Sequence, residues 1–171
     1  PMPCAECPSY ELVSAPTDSG KRQYAIACRI QQQEQDAVRG KAVIQRHGGY
    51  ILVQNPPSPP LETEGLDWVY GLPYMRTYHP SYEPLGGVPG IAEVKFSVIH
   101  NRGCYGACNF CAIASHQGRQ VTSRSHDSVA AEVERITQMP DFKGYIHDVG
   151  GPTADFRAPS CDAQLKRGLC K

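Results

Sequence analysis

Between positions 55 and 60 the chain reads Asn55-Pro56-Pro57-Ser58-Pro59-Pro60. Four prolines there remove backbone donors and fix φ, so neither a helix nor a central strand can pass through. The segment must run extended, as a stiff connector or as a docking site for a partner's aromatic groove. Regular structure is therefore sought separately on its two sides. Upstream, Asp18–Asp36 has helical periodicity, with Asp18 as cap and Gly40 as terminator. Two β-rich runs, Lys41–Gln45 and Tyr50–Gln54, flank His47-Gly48-Gly49, whose glycines tolerate the positive φ of a hairpin turn. Downstream, Thr63–Tyr70 reads as a short helix, and Gly71–Gly90, rich in Tyr, Pro and Gly, as an ordered surface loop.

The pattern changes near Val88–Gly90. Val94, Phe96 and Val98 alternate with polar residues as in a strand, which runs into a loop dense in Gly and Cys. A helix is predicted over Asp127–Met139, capped by Asp127 and stopped by Pro140, then a strand over Lys143–Val149 ending at Gly150-Gly151. Strand, loop, helix, strand is the opening of a βαβ series, whose ligands gather at the C-terminal ends of the strands. The expected class is α/β. Residues 1–90 form an N-terminal extension and residues 91–171 the start of a core. With 171 residues the chain is too short for a closed eight-unit barrel, which needs about 200.

Composition narrows the chemistry. Lys and Arg number 17 and Asp and Glu 17, so no global field draws the chain to nucleic acid or an anionic membrane. The start, Pro1-Met2-Pro3-Cys4, lacks the apolar core of a signal peptide, and no run reaches the length of a membrane span. A soluble, reducing, cytoplasmic setting is expected, and the missing initial Met suggests a processed end or a piece of something longer. In such a compartment clustered cysteines are more often metal ligands or catalysts than disulfides.

Three of the eight cysteines form Cys104-Tyr-Gly-Ala-Cys108-Asn-Phe-Cys111. One tight loop can aim three sulfurs at a common point, with Gly103 and Gly106 allowing unusual backbone angles. Three thiolates are one short of a closed structural zinc site, whereas an iron–sulfur cluster on three cysteines keeps one iron open for a substrate or cofactor. A zinc site completed by His116 is the alternative, although its spacing fits no common zinc module; a disulfide would strand an odd thiol.

The C-x3-C-x2-C run, with Phe110 just before its third cysteine, resembles the cluster motif of radical S-adenosylmethionine (radical SAM) enzymes. Further tracts resemble the YgiQ-like branch: Val53-Gln-Asn-Pro-Pro-Ser-Pro-Pro-Leu61, Tyr78-His-Pro-Ser-Tyr-Glu83, His116-Gln-Gly-Arg119, Ser123-Arg-Ser-His126 and Met139-Pro-Asp-Phe-Lys-Gly-Tyr-Ile-His-Asp-Val-Gly-Gly-Pro-Thr153. The resemblance implies a partial (β/α) barrel begun by residues 91–171. It implies a [4Fe–4S] cluster on Cys104, Cys108 and Cys111 and S-adenosylmethionine on the open iron. One electron from an external reductant would cleave the sulfonium to a 5′-deoxyadenosyl radical that abstracts hydrogen from a substrate the sequence does not name. Phe110 would lie against the adenine, and Gly150-Gly151 would approach the methionine amino group, with Pro152 where the family usually has an acid. Only two strands follow Gly90, so the isolated chain is expected to be incomplete and inactive.

The remaining candidates are weaker. Cys161 and Cys170 could begin a second cysteine site, Cys4 and Cys7 have a redox or zinc spacing, and Cys28 reads as core. His100, His126 and His147 are expected at the surface or hydrogen-bonded, and Arg102, Arg119 and Arg124 either meet an anionic ligand or are solvated.

Overall fold

The structure is a computed structural model describing residues 3–151, 157–158 and 161–169. In chain order the elements are β1 (Cys4–Glu6), α1 (Tyr10–Val13), α2 (Asp18–Gln33), β2 (Ala42–His47), β3 (Tyr50–Gln54), α3 (Thr63–Tyr70), a 3-10 helix (Pro80–Leu85), α4 (Ile91–Val94), β4 (Val98–Ile99), β5 (Asn101–Arg102), α5 (Ile113–Gln117), β6 (Thr122–Ser123), α6 (His126–Thr137), β7 (Val149–Gly150) and α7 (Gln164–Arg167). This is a mixed α/β arrangement with small sheets. The chain packs as two compact units: residues 1–60, 103–120 and 159–171 in the first, 61–102 and 121–158 in the second.

In the first unit, Thr17 caps α2, its hydroxyl accepting from the Gly20 amide at 3.1 Å. The cap is thus one residue before the expected Asp18, because Thr17 has the extended backbone a cap requires. Gly20 is obligatory, since a Cβ there would overlap the Ala15 carbonyl. Helix α2 ends at Gln33 rather than Asp36, whose carboxylate instead accepts from the Val38 and Arg39 amides. The hairpin forms as expected, with His47 opposite Tyr50 across Gly48-Gly49 and Gly48 at φ 57°. Strand β1, absent from the sequence reading, pairs in parallel with β2. It makes β2 central and places Cys7 in a core with Ala27 and Val43, flanked by Val13 and Ile30. Burial pushes the Cys7 thiol pKa up. Strand β3 is exposed along its whole length.

The second unit departs further from expectation. The alternating run from Glu93 begins inside α4, and only Val98 and Ile99 are extended. The second predicted strand shrinks to Val149–Gly150. The two pair in parallel, Val98 with Val149 and Ile99 with Gly150, so the βα6β connection exists but rests on two residue pairs. Alternation alone does not make a strand; a partner must satisfy its backbone, and here the partner is short. Helix α3 has the expected bounds. Helix α6 is capped by Ser125, whose hydroxyl accepts from Ser128 at 3.1 Å, rather than by Asp127.

Arg124, expected beside the cluster loop as a ligand contact or solvated, is fully buried in this unit's interior. It ion-pairs with buried Glu132, donates to the Ile99 carbonyl at 2.8 Å and to the Ser128 carbonyl at 2.9 Å, and stacks on the Tyr70 ring at 4.5 Å. Glu132 also holds Arg76, which donates to the Ser97 carbonyl at 2.6 Å. Asp67 accepts from the Ser125 amide at 2.9 Å. Burial opposes the Asp67 charge, but hydrogen bonds from Ser125 and Ser128 and the field of Arg124 outweigh it and hold the carboxyl below its ordinary range.

Glu132→Ala leaves two arginines without their carboxylate, and breaking such a buried pair costs about 3–5 kcal/mol; a urea unfolding midpoint close to that of the parent chain would disprove this. In the first unit, burial raises the pKa of Asp36, but the Val38, Leu169 and Arg39 donors outweigh that and lower it overall. The depressed carboxylate adds stability above its unfolded pKa, and this is lost as pH falls through the folded value. Asp36→Asn is therefore expected to be less stable than the parent chain at neutral pH and to converge with it in acid, as read by urea midpoints across a pH series.

Candidate cysteine site

The loop from Gly103 to Gln120 leaves the chain after β5 and rejoins it at β6. Its local turns are set by Gly103 at φ 86°, Ala107 at φ 47° and Gly118 at φ 86°, by a Cys111 amide to Cys108 carbonyl bond at 3.0 Å and by a Cys104 amide to Gly118 carbonyl bond at 3.1 Å. Gly103 carries positive φ as the loop requires, whereas the strained position is Ala107 rather than Gly106.

Gly106 serves the loop by being small. A Cβ built on it would lie 3.4 Å from the Cys104 sulfur and 3.6 Å from the Cys108 sulfur, so both sulfurs border one small volume over a bare backbone. Cys104 is buried, Cys108 exposed and Cys111 half-buried. Cys108 and Cys111 line a cavity of about 500 Å³ whose other wall is the α2 face of Ala25, Cys28, Arg29 and Gln32. Among the described residues no three His, Cys, Asp or Glu side chains converge as a metal-holding group. The donor set is three thiols, soft ligands suited to iron–sulfur chemistry, and metal–thiolate bonds themselves draw such ligands together. Two of the sulfurs border Gly106 and the third lies on the adjoining turn, so the chemistry of the donor set, though not its spacing here, suits a three-cysteine cluster.

Cys28 is not core. It is exposed on α2 and lines the same cavity as Cys108 and Cys111, and its hydrogen bond to Tyr24 pushes the phenol pKa up. Cys4 is exposed on β1 while Cys7 is buried, so strand alternation splits that pair and the two do not form a site. Cys161 is exposed, and Cys170 lies outside the described residues. No disulfide involves Cys4, Cys7, Cys28, Cys108, Cys111 or Cys161.

Phe110 is 92% exposed, an aromatic ring that buries nothing within the chain. His116 stands exposed in the last turn of α5. A second cavity, of about 310 Å³, is lined by His116, Arg119, Gln35, Ser58 and neighbours, all from the first unit. Arg119 lines both cavities, and its Nε is buried without a hydrogen-bond partner among the described residues. Arg102 lies on β5, paired opposite Thr122.

In the second unit, Gly150 sits in β7 and Gly151 directly follows it. A Cβ on Gly151 would overlap the Asn101 side-chain amide. Asn101 is 1% exposed, and neither polar atom of its side-chain amide has a hydrogen-bond partner among the described residues. Sequence reading gave Asn101 no role; its only signal was a polar residue closing an apolar run. His100 Nδ1 is likewise buried and unpartnered among the described residues, and the His147 amide donates to the Phe96 carbonyl at 3.3 Å. Pro152 lies outside the described residues. No helix among the described residues is long and apolar enough to cross a membrane.

Residues 2–97 match the family described as Radical SAM N-terminal. A UPF0313 protein of Clostridium botulinum (strain Okra / Type B1) is 56% identical over 166 residues, covering 97% of this chain and 25% of the relative. One from Clostridium perfringens (strain ATCC 13124) is 57% identical over 164 residues, covering 96% and 24%. The chain thus spans about a quarter of the length of these curated relatives. No solved structure matches it.

Gly151→Ala would force a methyl group into the Asn101 amide and should cost about 1–3 kcal/mol. Gly49→Ala, with open space around it and no positive φ, is the control expected to stay within about 0.5 kcal/mol of the parent chain. Equal urea midpoints for the two variants would contradict the close approach.

Proposed function

Because the chain belongs to the radical SAM N-terminal family, among the UPF0313 (YgiQ-like) radical SAM proteins, we propose that it is the cluster-binding part of a radical S-adenosylmethionine enzyme. Cys104, Cys108 and Cys111 hold a [4Fe–4S] cluster in this reading. The observation that carries it is the pair of sulfurs flanking the bare Gly106 backbone, with Cys111 one turn on and lining the same cavity as Cys108. With S-adenosylmethionine and an external one-electron reductant, the chemistry supplied there is reductive cleavage of the sulfonium to start a radical reaction on a substrate.

The chain's own residues bind and orient. Gly106 leaves room above the loop backbone, and a side chain there would compete with the cluster for space. Cys104, buried and held through its amide to Gly118, anchors the first ligand. The exposed ring of Phe110 offers a flat apolar face on which an adenine can stack. Gly150 and Gly151 contribute backbone groups for the methionine amino group, while Asn101 holds the approach to Gly151 narrow. The partial barrel is completed by βα units beyond these residues, and turnover belongs to the longer protein; the setting is cytoplasmic.

Anaerobic reconstitution with iron and sulfide should give [4Fe–4S] absorption and, on reduction, an EPR signal. Cys108→Ala and Cys111→Ala should each abolish both. Unchanged spectra in either variant would refute the assignment, and so would stoichiometric zinc in aerobically purified protein that is lost on His116→Ala.

A further inference from the structure

The two cavities of the first unit share Gln35, Ser115 and Arg119. The chain as a whole balances 17 cationic against 17 acidic residues, yet among the described lining residues of both cavities there is no carboxylate, while Arg29 and Arg119 face them. The rest of the lining is rich in hydrogen-bonding groups, including Ser58, Gln54 and Gln117 in the smaller cavity and Gln32 and Asn109 in the larger. Arg119 keeps its Nε buried and, among the described residues, unpartnered. A guanidinium cannot shed its charge at any ordinary pH, so a buried donor on it is costly until an acceptor arrives. Arg124, the fully buried arginine of the second unit, has its carboxylate within the fold, whereas Arg119 is half-buried. Arg119 forms no ion pair among the described residues and lines both cavities.

We infer that these adjacent cavities, which share the wall of Gln35, Ser115 and Arg119, form a binding site for a small molecule carrying a carboxylate or phosphate, with Arg119 as the principal anion ligand and Arg29 of α2 as the second. Their volumes, about 310 and 500 Å³, fall in the range of small-ligand sites. Arg119 is the group best shaped for the task, since its planar fork matches a carboxylate or phosphate in a bidentate way. Helix α2 therefore acts as more than an extension: it furnishes the wall that faces the cysteine loop. The anion belongs either to the methionine end of S-adenosylmethionine or to the substrate. Only that second step rests on the cluster assignment; the anion site itself does not.

The test is titration calorimetry of inorganic pyrophosphate into the 171-residue chain without a cluster. Saturable binding is expected, weakened about tenfold or more by Arg119→Gln, as for loss of a charge-assisted bond, and unchanged by Arg22→Gln on the same helix. Arg29→Gln, at an exposed position, should weaken it about threefold and decides the matter if Arg119→Gln does not fold. Because the titrated chain carries no cluster, a failed cluster assignment and a failed anion site are read separately. Competition by S-adenosylhomocysteine would assign the anion to the cofactor's carboxylate, and simultaneous binding would assign it to the substrate; both support the site. No saturable binding, or equal affinity in the arginine variants, overturns it.

Discussion

The second unit is organised around one buried charge. Arg124 is placed where no water can solvate it, and its five donors are answered by Glu132, by carbonyls at Ile99 and Ser128 and by the Ser128 hydroxyl. Those partners belong to the end of β4 and to α6, and the ring of Tyr70 beneath it closes α3 onto the same point. Two-residue strands cannot hold a parallel pair together through two backbone contacts alone. The network does it instead, since Arg124 reaches the carbonyl of the very strand that β7 pairs with. Burying ions is costly, and what such a network contributes is a single allowed arrangement, because few other packings would satisfy both arginines and the shared carboxylate.

The helices were legible because their information is local. Val129, Val133 and Ile136 give α6 away, and α3 has the bounds its sequence suggests. Caps were misplaced onto acidic residues when the hydroxyl of a preceding Thr17 or Ser125 was in the extended conformation that capping uses. Strands were overextended for a non-local reason: the polar and apolar residues of 93–99 alternate, but extended structure persists only as far as β7 accompanies it. The same blindness hid β1, three residues long and meaningful only beside β2. Charge was the hardest to read. Nothing near Arg124 in sequence announces that Glu132, eight residues on, would share its burial, and nothing about Arg119 distinguishes it until its surroundings are known.

The cysteine motif was the most legible part of the site, since ligand spacing is a local property. What the spacing could not convey was the opposing wall. Cys28 and Arg29 sit about eighty residues upstream in a helix that reads as an ordinary amphipathic element. The first unit is assembled from three separate stretches of chain, and one consequence is that the cysteine loop is held by residues that precede it and follow it. Gln35 donates to the Ser115 carbonyl at 2.8 Å, and Gln120 to the Gln164 carbonyl at 2.8 Å. The helical second half of the loop is thus pinned within α5 and just before β6, while the first half is tied back to it at Cys104 through the Gly118 carbonyl.

Strand β3 has a different significance. Tyr50, Ile51, Leu52 and Val53 are all more than half exposed, on both faces of an outer strand whose far edge pairs with nothing among the described residues. Four uncharged apolar residues, three of them of strong β-propensity, on an open edge are the ingredients of strand-to-strand self-association. The fate of this hairpin during folding therefore depends on how quickly its open edge is shielded. The strand that completes the small sheet is thus also an edge open to misassembly.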